Sequence, residues 1–172
     1  IKEGASEAIE TALRDKSENI RALALRIARR HQLPIEPLVR RLLRDESTLV
    51  RRECAVSLHR LDSVEAINLW VELAAQYDGK DRWYLEALGI GEIGKEAACL
   101  NAWLKKTGAD WSTRSNRDIL WRSRAAKAAT LLAKLILNSN VPAVEHPRLL
   151  RALDFHSGKP KEAAIATLLL DD

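Results

Sequence analysis

The sequence has no methionine, one phenylalanine, two cysteines and seven glycines in 172 residues. The two cysteines, Cys54 and Cys99, fall in different predicted helices and form no C-x-x-C or C-x-x-C-H motif. That removes metal, redox and haem-attachment signals, and each reads as a small buried apolar residue. No glycine occurs between Gly4 and Gly79, as expected of closely spaced helices. No apolar run nears the roughly 20 residues that span a bilayer, so no membrane insertion is expected. Strand-type alternation is missing as well. Neither sign of charge dominates: 28 Lys and Arg against 24 Asp and Glu give a formal +4, which permits an anionic partner without implying one. Hydrophobic residues are nonetheless 47% of the chain, which sets it apart from disordered sequences.

What is present is a repeat. Residues 15–28, DKSENIRALALRIA, align without a gap on residues 45–58, DESTLVRRECAVSL, at an offset of 30. Asp15 meets Asp45, Ser17 meets Ser47, and Ile20-Arg21 meets Val50-Arg51. Two weaker copies follow. In one, Asp78 takes the aspartate place, Trp83 the Ile20 place and Tyr84 the arginine place. In the other, Asn116 takes the aspartate place and Trp121-Arg122 the Ile20-Arg21 place.

Each copy is the second helix of a pair, with apolar residues at 3- and 4-residue steps. Ser17 and Ser47 suit N-caps whose hydroxyls accept from free amides. Pro34, Pro147 and Pro160 suit helix openings. The spacing predicts an all-α fold, an α-α superhelix of about five antiparallel pairs near 5–30, 34–60, 63–91, 94–138 and 147–170, forming one array over 1–172. The second helix of the fourth pair is expected to run unbroken over 116–138. Both ends read as cuts from a longer protein.

This pattern resembles HEAT repeats, with Asp15/Arg21 and Asp45/Arg51 as the turn aspartate and the arginine six residues on. The third and fourth copies depart, by Tyr84 and by Asn116. The resemblance implies a non-catalytic scaffold that binds proteins or neighbouring domains and holds no cofactor. In it Asp15, Arg21, Asp45, Arg51, Asp78, Trp83, Trp121 and Arg122 are structural repeat positions.

One motif competes with that reading. Gly89, Gly91 and Gly94 spell G-x-G-x-x-G, and Asp110 follows about 20 positions on. A dinucleotide loop needs a strand before the first glycine and a helix after the last. Here helix lies on both sides. Gly91 and Gly94 therefore read as a helix end and turn wanting positive φ, and Gly89 as a close approach.

The surface carries two further signals. All five tryptophans (70, 83, 103, 111, 121) lie between residues 70 and 121. Four read as core, including Trp83 and Trp121. Trp111 lies in the polar loop 107–115 with Arg114 beyond it, and is either a partner anchor or a lid. Between residues 14 and 60 stand twelve Lys or Arg and six Asp or Glu. Arg29, Arg30, Arg40, Arg41 and Arg52 there form either a solvated face or a basic ridge. The ridge brings in an alternative, a HEAT-like DNA glycosylase binding nucleic acid on a basic concave face. It is not favoured, since ADW at 109–111 is thin support for a catalytic aspartate.

The words QYDGKDRWYLEALGIG, LNAWL, RDILWRSRA and LLRALDFH are more specific. Over about 76–156 they resemble the HEAT-repeat segment of large bacterial membrane-bound-dehydrogenase-like proteins with a c-type cytochrome domain. That resemblance implies export to the periplasm and a spacer role. Any oxidoreductase chemistry would lie in other domains.

Overall fold

The computed structural model describes residues 2–170, and no strand occurs among them. The helices are α1 (Lys2–Ala12), α2 (Glu18–Arg30), α3 (Glu36–Leu42), α4 (Thr48–Ser57), α5 (Val64–Ala74), α6 (Arg82–Gly91), α7 (Glu96–Thr107), α8 (Arg114–Arg122), α9 (Ala126–Ile136), α10 (His146–Ala152) and α11 (Gly158–Leu169). Single 3-10 turns at Ala143–Glu145 and Leu153–Phe155 flank α10. The fold class is the expected one, HEAT-like and all-α. The helices fall into two compact units. One holds residues through Tyr77 with Arg82–Lys95, and the other holds Asp78–Asp81 with the residues from Glu96 onward.

The first unit is three helix pairs, α1/α2, α3/α4 and α5/α6. Second helices stack in a row, α2 on α4 and α4 on α6, while α3 lies on α5. Helix α2 shows why the sequence does this. The Ser17 amide donates to Asp15 Oδ1 at 2.7 Å, which turns the chain into the helix. Glu18 in the first turn and Arg29 and Arg30 in the last match the helix dipole. Ala22, Ala24, Leu25 and Ala28 are buried, and small residues on that face let neighbouring helices approach. Leu25, fully buried, contributes roughly 1.5–3 kcal/mol by leaving water. The helix ends when Gln32 adopts a left-handed φ of 55° and the Leu33 amide donates back to the Ala28 carbonyl at 3.0 Å.

Ser17 and Ser47 do occupy N-cap positions, but neither hydroxyl caps its helix. Ser47 Oγ hydrogen-bonds the Glu18 carboxylate of the preceding pair instead. Side-chain caps do form at Ser63, accepting from the Ala66 amide at 2.9 Å, and at Thr113, accepting from the Asn116 amide at 3.2 Å.

In the second unit α9 is central, packed against α7, α8, α10 and α11. The helix expected over 116–138 is broken at residues 123–125, where Ser123 and Ala125 take ψ values of 142° and 136°. No proline or glycine marks the break. Arg124 makes it, donating from Nη1 to the carbonyls of Trp121, Arg122 and Ser123 at 2.9–3.2 Å and so capping α8. The Arg124 guanidinium also lies 4.3 Å over the Phe155 ring.

The glycine motif is resolved by packing. Gly91 ends α6, and a Cβ built there would stand 2.3 Å from the Ala55 carbonyl of α4. Gly91 is thus the close-approach glycine, and its φ is not positive. Gly94, at φ 88°, is the turn. Next to it the buried Lys95 ammonium donates to the Leu58 carbonyl at 2.7 Å and the Gly91 carbonyl at 2.5 Å. A cation thereby joins the negative ends of α4 and α6. Cys54 lies in the core of this unit and Cys99 in that of the other, both fully buried. Burial pushes the Cys54 thiol well above its ordinary value.

Replacing Gly91 with alanine is expected to destabilise the chain by about 2 kcal/mol. Helix propensity gains roughly 1 kcal/mol, but overpacking against backbone that cannot yield costs about 3 kcal/mol. Urea denaturation of Gly91→Ala measures the difference; an unchanged midpoint would show that α4 and α6 do not meet there.

Candidate interaction surface

The turn aspartate and the helix arginine form a connected device. Arg21 Nη1 donates to the carbonyls of Asp15 and Lys16, at 2.9 and 3.1 Å, within its own turn. Its Nε and Nη2 donate to both oxygens of Asp45, at 2.7 and 2.8 Å, in the next pair. One guanidinium therefore closes its own turn and grips the following one, which only the planar fork of arginine allows. Arg51 repeats the inner half, with Nη1 on the carbonyls of Asp45 and Glu46 at 2.5 and 3.0 Å. Outwardly it meets the Tyr84 ring at 5.8 Å. Tyr84, at the arginine place of the third copy, buries its ring and donates its hydroxyl to the Leu73 carbonyl at 3.0 Å.

In the second unit the same device is built by Arg117, not Arg122. Arg117 Nη1 donates to the carbonyls of Trp111 and Ser112 at 2.8 and 3.0 Å. Its Nε and Nη2 reach both oxygens of Glu145, at 2.9 and 2.6 Å. The aspartate place belongs to Asp110, which accepts from the Ser112 amide at 2.8 Å as Asp15 does from Ser17. Asn116 donates to the Asp110 carbonyl at 2.7 Å and is a neighbour of that turn. Asp78 holds its expected turn, accepting from the Lys80 amide at 2.9 Å.

Electrostatics follow the pairing. Burial alone would raise the Asp45 carboxyl, but the Arg21 hydrogen bonds, the Ser47 amide and the charges of Arg21 and Arg51 outweigh it and hold it below the ordinary range. The Arg117 hydrogen bonds hold Glu145 low in the same way. Arg21 and Arg117 are raised by these bonds in turn.

The basic residues of 14–60 are largely matched. Arg26 Nε donates to the buried Glu53 at 2.7 Å, with Arg29 3.5 Å from its other oxygen. Arg40 pairs with Glu65, and Arg41 with Glu10 at 2.5 Å. Arg30 is exposed and Arg52 half-buried. Of the aromatic candidates, Trp83 is 68% exposed, so the core place expected for it is a surface place. The repeat place does not fix burial, since Ile20 is 40% exposed there and Val50 fully buried. Trp121 is half-buried, donating to the Arg148 carbonyl at 3.1 Å under the Arg148 guanidinium. Trp111 is half-buried, its ring 5.8 Å from that of the buried Trp103. Arg114 is exposed, 3.9 Å from the buried Asp118, which Arg148 also engages. Among the described residues no group of three His, Cys, Asp or Glu could hold a metal.

Repeated turn-clasping arginines, at an ungapped offset, mark one recurring unit. Residues 6–89 match the HEAT-repeat family model. The match covers just under half of the chain and takes in most of α1, all of α2 to α5 and most of α6. No curated protein and no solved structure matches the chain. Within the HEAT-repeat segment the arginine clasp links neighbouring pairs, so the surface it offers is held by side chains as well as by core packing.

Asp45→Ala is expected to cost about 3 kcal/mol, because Arg21 stays buried without its partner. The depressed carboxyls of Asp45 and Glu145 contribute fully above their unfolded values, about 4. That contribution is lost as pH falls through their lower folded values. Stability measured from pH 6 downward should therefore decline below about pH 4, and less steeply in Asp45→Asn. A variant with an unaltered acid profile would remove Asp45 as a source.

Proposed function

We propose that the protein is a non-catalytic scaffold that binds a protein partner or neighbouring domains through the outer faces of its stacked helix pairs. The observation that carries this reading is how the basic run is used. Arg21, Arg26, Arg29, Arg40, Arg41 and Arg44 lie against carboxylates of adjacent pairs, and a charge satisfied in this way adds little to a phosphate contact. Exposed aromatic and apolar side chains such as Trp83 suit a protein surface better than a polyanion. Trp111, Arg114, Arg29, Arg30, Arg40, Arg41 and Arg52 are the candidate contacts. The resemblance of 76–156 to the HEAT segment of dehydrogenase-like multidomain proteins supports a narrower version, an exported spacer between a catalytic and an electron-transfer domain.

Titration of the full chain with a short DNA duplex at low salt should give no binding. Photo-crosslinking from position 83 or 111 should capture one discrete protein. Duplex binding that weakens steeply with added salt would replace this reading with the nucleic-acid one.

A further inference from the structure

The ungapped offset of 30 makes α2 and α4 comparable residue by residue. In α4 the edge facing α2 is Ser47, Val50, Glu53 and Ser57, all buried. Against it α2 presents Glu18 to Ser47, Arg21 to the Asp45 turn, Leu25 to the core and Arg26 and Arg29 to Glu53. Subtracting 30 from the α4 edge gives Ser17, Ile20, Leu23 and Ile27 of α2. Those last three are 40%, 49% and 38% exposed, an apolar stripe one helix long. Among the described residues Asp15, the counterpart of Asp45, receives only the Ser17 amide, whereas Asp45 takes a bidentate arginine besides. A cleft lined by Thr11, Arg14, Asp15 and Lys16 opens beside that carboxylate. An apolar stripe and the Asp15 carboxylate with its adjoining cleft thus lie where the established α2–α4 interface would continue by one more step.

We propose that this edge of α2 docks a helix of HEAT-repeat type from outside the described residues. The docked helix carries Glu-x-x-Arg at its start and apolar residues further along its stacking edge. Its arginine grips both oxygens of Asp15, and its glutamate accepts from the Ser17 hydroxyl. It is apolar where α2 has Arg26 and Arg29, because Leu23 stands where α4 has Glu53. The buried carboxylate is replaced by a leucine, so a basic partner residue there would be desolvated without a counter-charge. This inference rests on the scaffold reading but concerns one edge only. Its failure would leave the DNA and crosslinking results as they stand.

The probe is a synthetic peptide of residues 14–33, held helical by a side-chain lactam and carrying Arg26→Leu and Arg29→Leu, titrated calorimetrically into the full chain. Binding is expected to weaken about tenfold when the chain carries Asp15→Asn, which keeps the turn and loses the charge. In the chain with Leu23→Glu, an exposed position, preference should reverse toward the peptide that retains Arg26 and Arg29. Absence of binding by either peptide, or binding indifferent to both substitutions, would overturn the proposal. Self-association of the unmodified chain that Leu23→Glu abolishes would assign the edge to a second copy and overturn it equally.

Discussion

The bidentate arginine-to-carboxylate bond between successive helix pairs is the constraint on which the first unit depends. Helix stacking alone fixes distance but not register, because an apolar stripe tolerates sliding. Arg21 removes that freedom by binding two carbonyls behind it and two carboxylate oxygens ahead. The bond is shielded: the Arg21 and Asp45 side chains are 10% and 7% exposed, so salt screens it far less than a surface pair. Arg117 and Glu145 show that the same solution recurs in the second unit with a longer acidic side chain.

Where the clasp lapses, other groups tie the helices. Tyr84 cannot form a fork, and α4 and α6 are joined by the Lys95 ammonium and by backbone contact at Gly91. The glycines that imitate a phosphate loop are therefore part of helix packing. One admits a carbonyl and one turns the chain, and neither leaves the free amides that an anion requires.

The all-α class, the helix pairs of the first unit and the two strongest repeats were legible because they rest on periodicity and on an ungapped match. The fourth repeat was misread because an extra residue in its turn puts Arg117 seven positions after Asp110, where Arg21 stands six after Asp15. The shared D-x-S signature, Asp110 to Ser112, was the signal that could have set the register. The break at 123–125 left no trace, since an arginine folding back on the carbonyls just before it, and not a breaker residue, produces it. Trp83 failed for a different reason. Alignment transfers a position but not its burial: the same place is 40% exposed at Ile20, fully buried at Val50 and 68% exposed at Trp83. Arg148, Glu145 and Glu53 were invisible to local reading because their roles exist only after distant helices meet.

The placement of the two thiols has an experimental corollary. Each compact unit encloses one cysteine, Cys54 or Cys99, and the chain has no others. A sulfhydryl reagent reacts with thiolate, which burial suppresses, so modification waits on local opening. The rates at the two positions are then separate clocks for the opening of each half, read from one unlabelled molecule by peptide mass.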